Sequence, residues 1–463
     1  MILKNAKIYS EGLVHKGAIL ITEGIIRNVI FNPQEKDLKK LAKKNQDNKE
    51  IDCQNKLILP GIIDIHSHLR DMDQSEKETF LTGTRAAAFS GITTVFNMPN
   101  TKPPAISAEQ VKMWMEKAKN NININVGFIS GVPKGIDYHE IIKIVELGVI
   151  GFKIYPNNSL NEVDWTDTLN IQKILNISSK YQIPIFIHPD WPLSEREKDD
   201  LYQEFTHEGY PFLKFHDKLF PVQMEARYVN FILENYYKII ADNNLDPSNY
   251  PLVHFCHISC KDSYTLIKNA LSMNKKLKIT YEITPHHLLL SNEIQLDNPN
   301  IGKVLPPLRD KEHSSYLLNE LKNGEINLIG TDHAPHTLEE KQDELGALSG
   351  FPGFETFPLL LLDKVCKYEL SLEIFVKSTS EKPAKIFNLK NKGFIKEGFD
   401  ADFYIVEKVP EYPIISQAFK TKAKFSPYEK YKTTIKIWKV FLGGFEVNND
   451  DSIPNGKILK RIL

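Results

Sequence analysis

Net charge is nearly absent from this chain: 58 lysines and arginines face 59 aspartates and glutamates, leaving −1 over 463 residues. Without a basic field, the sequence excludes the electrostatic footprint of a nucleic-acid or anionic-membrane binder. Long apolar runs are missing too. None approaches the roughly 18 residues that a membrane span needs, and the opening Met1-Ile2-Leu3-Lys4-Asn5-Ala6-Lys7 lacks the apolar stretch of a secretory signal. Cysteine is scarce: Cys53, Cys256, Cys260 and Cys366 are too few to staple a chain of this length. Cys256 lies in an apolar strand-like run, so it and Cys260 read as small buried residues rather than a metal clip. These absences leave a protein of the reducing cytoplasm as the expectation. The length favours a barrel-sized domain with a smaller companion.

The most informative stretch present is Gly61-Ile62-Ile63-Asp64-Ile65-His66-Ser67-His68-Leu69-Arg70. In an extended strand residues i and i+2 share a face, so two imidazoles leave together and form half of a metal site. By the same spacing Asp64 shares the face of His66 and is expected to orient that imidazole from behind. From about residue 58 onward, short β-rich runs alternate with helical stretches. The runs fall at 58–66, 94–98, 125–129, 151–155, 184–188, 252–257, 277–283 and 327–332, with helices expected over 78–89, 108–119, 222–241 and 261–272. Eight buried strands alternating with helices predict an α/β fold, a parallel (β/α)8 barrel. Both chain ends are β-rich. Residues 1–56 and 390–463 are expected to form one small β-sandwich beside a barrel spanning 57–389, with hairpins at 394–406 and 435–444.

Barrel enzymes place their chemistry at the C-terminal ends of the strands. Those ends carry His66 and His68, then Asn97 to Asn100, Lys153, His188, His257 and Asp332. The donor set suits two divalent ions, most simply Zn²⁺. Lys153 is the odd member, because an ammonium cannot bind a cation. A structural ion pair would explain it. A buried lysine that reacts with carbon dioxide explains it better, because the resulting carbamate has a carboxylate's shape and charge and can bridge two metals.

The Asp64-x-His66-x-His68 start, the strand-four lysine in Gly151-Phe152-Lys153-Ile154-Tyr155, the single histidines on strands five and six and the strand-eight aspartate resemble the amidohydrolase superfamily. Within it, His68-Leu69-Arg70, Asn97-Met98-Pro99-Asn100-Thr101, Thr284-Pro285-His286-His287-Leu288, Pro306-Pro307-Leu308-Arg309 and Thr331-Asp332-His333-Ala334-Pro335-His336 resemble the dihydroorotase family over essentially the whole chain. The resemblance implies that His66 and His68 hold the more buried metal, that His188 and His257 hold the other, and that carbamylated Lys153 bridges them. Asp332 would ligate the buried metal and carry protons while a bridging hydroxide attacks the cyclic amide of dihydroorotate. Run backwards, the same steps close N-carbamoyl-L-aspartate into the ring, the biosynthetic direction for pyrimidines. Arg70, Asn100 and His336 would clamp the substrate carboxylate. The Gly350-Phe351-Pro352-Gly353-Phe354 loop would contact the ring, with Gly350, Pro352 and Gly353 letting the backbone come close. A small-molecule substrate is the implied partner, and a homo-oligomer or a complex with aspartate transcarbamoylase is left open.

The chain departs from the family pattern at Asp71-Met72-Asp73, at His188-Pro189-Asp190 and at Leu305, which bears on loop contacts rather than on the reaction class. His254 reads as a filler of strand six, His286 and His287 as structural, and His207, His216 and His313 as residues of polar loops. Segment 190–222 reads as a loop on the active-site side. Two alternatives stand beside the leading reading: another cyclic amidase, such as an allantoinase or dihydropyrimidinase, and a non-catalytic homologue that scaffolds aspartate transcarbamoylase.

Overall fold

The computed structural model describes residues 1–44, 49–208, 211–342, 346–449 and 452–461. Five strands open the chain: β1 (Ile2–Ser10), β2 (Leu13–Thr22), β3 (Ile25–Phe31), β4 (Glu50–Asp52) and β5 (Leu57–Pro60). Eight follow in alternation with helices: β6 (Ile62–Ser67), β7 (Ile92–Asn97), β8 (Asn125–Gly131), β9 (Gly151–Ile154), β10 (Ile185–Ile187), β11 (Val253–Phe255), β12 (Ile279–Ile283) and β13 (Leu328–Ile329). Each of these pairs in parallel with the next. A parallel bridge from Ser67 to His333, with the His68 amide donating to the His333 carbonyl at 2.8 Å, closes the ring. The expected (β/α)8 barrel is therefore present.

Strands β6 to β11 are buried along their whole length, as a sheet covered on both faces requires. Helices begin where the sequence supplies caps. Thr79, Ser107, Asp137 and Asp167 each accept backbone N–H bonds at the starts of Phe80–Phe89, Ala108–Ala118, Tyr138–Glu146 and Thr168–Tyr181.

The chain ends form one hydrogen-bonded sheet in the order β16-β15-β14-β5-β1-β2-β3, where β14 is Phe403–Pro413, β15 is Lys432–Leu442 and β16 is Phe445–Glu446. The Gly24 turn lies against Gly443, so the two ends of the path approach each other around a core that includes Ile8, Ile19, Ile58, Phe403 and Phe441. Three details differ from expectation. β5 belongs to this sheet, so the barrel starts at Ile62. The hairpin expected at 394–406 is absent; β14 pairs instead with the distant β15. Finally, β17 (Ile458–Leu459) leaves the small sheet and pairs with β8 of the barrel.

Among the described residues of segment 190–222, expected as a loop, two helices stand instead, Glu195–Glu208 and Phe212–Leu219, lying beside the mouth of the barrel. Among the described residues no helix is long and apolar enough to cross a membrane.

Candidate functional site

A cavity of about 710 Å³ opens at the C-terminal ends of the strands, lined by His66, His68, Arg70, Asn100, His188, His257, Asp332 and His336 together with residues of the two capping helices. Five of the six residues expected to hold metal line it; Lys153 does not, although its charge acts on His66, His188 and His257. Nε2 of His68 and Nε2 of His66 lie 3.0 and 3.3 Å from the same Asp332 oxygen. Nδ1 of His188 lies 2.9 Å from Nε2 of His257. The rings of His66 and His257 are 5.1 Å apart, which joins the two pairs. His257 and Asp332 both adopt left-handed backbone, with φ of 33° and 48°. Left-handed backbone is uncommon for non-glycine residues, and at these two strand ends it aims both side chains into the site.

The tautomers are set from behind. His68 Nδ1–H donates to Asn100 Oδ1 at 2.7 Å, which leaves its Nε2 lone pair for a cation. His66 Nδ1–H donates to Glu282, a carboxylate with no solvent exposure that also takes His254 Nε2 at 3.2 Å and the His257 amide at 3.2 Å. Glu282 was missed in the sequence. Its place near the end of strand seven was the one feature that could have pointed to it, and strand three likewise offers no candidate side chain.

Asp64 does not take the role expected of it. One extra residue on β6 between Asp64 and Ser67 breaks the alternation, so Ser67 rather than His66 follows Asp64 on its face. The Asp64 carboxylate accepts from the amide and hydroxyl of Thr331, at 2.8 and 2.6 Å, and reaches only the backbone of His66.

The surroundings shift the rings in opposite directions. Burial lowers His188 and His257 well below the ordinary histidine range, and the Lys153 charge adds to this, so both rings are neutral donors. His68 is lowered to about 4, by burial first. Burial also disfavours a charged His66, but the Glu282 and Asp332 carboxylates together outweigh it and raise that ring to about 10. Burial would raise the Asp332 carboxyl, yet His66 and His68 hold it well below the usual range. Lys153 is 1% exposed, and among the described residues its Nζ has no hydrogen-bond partner.

Of the expected substrate contacts, Arg70, Asn100, His336 and Gly350 line the cavity. Pro352 and Gly353 are not among its lining residues; the Gly353 amide donates instead to His333 Nδ1 at 3.1 Å. Arg70 is buried, its Nε donating to the Pro335 carbonyl at 3.3 Å and its Nη2 lying 3.3 Å from His336 Nε2. Leu305 and Tyr155 also line the cavity, and the Tyr155 hydroxyl has no partner among the described residues. His216, expected in a polar loop, is buried on the second capping helix and bonds the Val304 carbonyl at 2.7 Å. His254 and His287 are structural, as expected. His254 bonds Thr280 and Glu282, and His287 bonds Thr284 and the Pro306 carbonyl.

Fold and site together define a metal-dependent cyclic amidohydrolase. The amidohydrolase family profile matches residues 57–458. The chain is 35% identical to the dihydroorotase of Pyrococcus horikoshii over 453 residues, covering 96% of this chain and 94% of that one. It is 33% identical to the dihydroorotase of Bacillus cytotoxicus, covering 91% and 94%. In structure it resembles the L-hydantoinase (dihydropyrimidinase) of Arthrobacter aurescens, with a TM-score of 0.86, 25% identity and 99% of each chain covered. The chain belongs to the amidohydrolase family, and within it groups with the dihydroorotases.

Proposed function

We propose that this chain is a dihydroorotase, interconverting N-carbamoyl-L-aspartate and (S)-dihydroorotate in pyrimidine synthesis. The observation that carries this reading is Arg70. Its guanidinium is buried at the cavity wall, and among the described residues no carboxylate pairs with it. A buried charge without a counter-charge is costly, so the site is built for an anionic ligand. Dihydroorotate brings a carboxylate; dihydrouracil, hydantoin and allantoin do not.

The donor set fits two divalent ions. His66, His68 and Asp332 form one group and His188 with His257 another, while the orphaned Lys153 amine suits conversion to a bridging carbamate. When bound, the ions, most simply Zn²⁺, would polarise the ring carbonyl and lower the pKa of the attacking water. Arg70, beside His336, binds the substrate carboxylate and fixes which ring edge faces Asp332. Asn100 uses its oxygen on His68, which leaves its amide N–H groups for the substrate. Asp332 accepts the proton of the attacking water and returns it to the departing ring nitrogen.

Replacing Arg70 with Met keeps much of the stem but removes the fork. It should cost about 2–5 kcal/mol in kcat/KM for dihydroorotate, leave metal content unchanged, and reduce any activity on dihydrouracil far less. Equal losses on both substrates would favour the other cyclic amidases.

A further inference from the structure

Lys341 has no solvent exposure and does not itself line the active-site cavity, yet its side chain ends directly behind residues that do. Its ammonium donates to three backbone carbonyls, Leu348 at 2.7 Å, Gly350 at 2.9 Å and Lys303 at 3.2 Å. All three of these residues line the cavity. The Lys341 main chain is anchored in turn, since its carbonyl accepts from the side-chain amides of Asn300 at 3.1 Å and Asn298 at 3.2 Å. The Gly350 amide donates to the Lys303 carbonyl at 2.9 Å, so two cavity segments from different parts of the chain meet around one ammonium.

The arrangement leads to the substrate clamp. Between the two pinned residues lies Ser349, whose carbonyl is 3.1 Å from His336 Nε2, the atom that faces Arg70. Three carbonyl dipoles are a complete acceptor set for an ammonium's three N–H bonds, and a buried charge so satisfied fixes its partners rigidly. Without the ammonium, the Leu348 and Gly350 carbonyls would lose this donor while the Lys303 carbonyl kept only the Gly350 amide, and the two freed groups would gain by turning toward water. The loop would then relax and take the His336 contact with it.

We infer that Lys341 is a positioning residue that holds the Leu348–Gly350 backbone against Lys303 and so preorganises the Arg70–His336 clamp for a carboxylate-bearing substrate. The inference rests on the dihydroorotase reading for its substrate but not for its geometry, so the test has two independent readouts.

Lys341→Met keeps the volume and removes the three donors. Hydrogen exchange should accelerate at the Gly350 amide by at least tenfold while the strand amides of β6 to β9 keep their protection. The KM for dihydroorotate should rise by tenfold or more with kcat changed less than threefold and metal content unchanged. Lys341→Ala, assayed with and without ethylammonium, provides the second arm, in which the small cation should restore both Gly350 protection and KM. Unchanged exchange at Gly350 overturns the inference whatever the activity. So does a matched fall in kcat and metal content with KM constant, or a failure of ethylammonium to restore folded Lys341→Ala. Wild-type protein inactive on dihydroorotate, but with Gly350 exchange dependent on Lys341, would remove the substrate assignment and leave the positioning role supported.

Discussion

In the proposed reaction Asp332 is central, because one of its carboxylate oxygens faces both His66 and His68 while the backbone beneath it is held at φ 48°. Asp332→Asn is nearly isosteric, so the fold should persist while turnover falls by at least three orders of magnitude in a steady-state assay, since an amide cannot accept and return the proton. Glu282 acts one step further out. Glu282→Gln would turn an N–H donor toward either the His254 ring or the His257 amide, and the His66 tautomer would no longer be fixed. Metal affinity should fall about 10–100-fold, measured by competition with a chelator, whereas kcat of fully loaded protein should fall much less. The residues proposed to hold metal were legible in the sequence because each stands at a strand end with an uncommon side chain. Glu282 was not, because its place near the end of strand seven is a weak signal until the fold shows that His66, His254 and the His257 amide surround it. Asp64 misled because strand alternation was assumed through a position where β6 carries one extra residue.

At the scale of elements, the eight strands were readable from apolar runs punctuated by polar turns, and four helices fell within about two residues of expectation. The capping helices were not readable. Glu195–Glu208 is polar nearly throughout, and its partner Phe212–Leu219 earns its place only by burying Phe212, Leu213, Phe215, His216 and Leu219 against the barrel mouth. That second helix is tied down by Arg309, which bonds Asp217 at 2.6 Å and Glu225 at 3.1 Å and donates to the Ser259 hydroxyl at 2.8 Å, two residues beyond His257. The same helix carries a pH dependence. Burial lowers His216 to about 3, so in the folded state the ring stays neutral while the unfolded ring takes up a proton near pH 6.5. The contribution of the neutral ring is fully present above pH 6.5 and is lost as pH falls toward 3, by up to about 1.4 kcal/mol per pH unit. His216→Gln should flatten the fall of the urea midpoint between pH 6.5 and 5; an unaltered slope would place the acid sensitivity elsewhere.

The whole molecule is joined more tightly than its division into barrel and terminal sheet suggests. β5 of the small sheet passes through Gly61 alone into β6, the strand that carries His66, and the Gly61 amide donates to the Asp402 carbonyl of the terminal sheet at 3.0 Å. A Cβ at Gly61 would sit 2.1 Å from the Thr93 hydroxyl of β7, so that crossing admits no side chain. Gly91, at φ 83°, packs its backbone on the ring of Tyr404 from β14, where a Cβ would approach within 2.7 Å. Asp402 adds a buried ion pair with Lys392 at 2.7 Å and accepts from Asn125 of β8 at 3.3 Å. β17 then carries the end of the chain back to β8. Contacts this dense across the junction couple the two parts into one cooperative unit, so thermal unfolding should show a single transition. Gly91→Ala places a methyl group against Tyr404 in a backbone conformation that alanine disfavours. It should lower stability by about 2–4 kcal/mol and shift the loss of barrel helicity and of metal binding together. Two separated transitions in this variant, with the metal centre surviving the first, would show that the barrel stands without the terminal sheet.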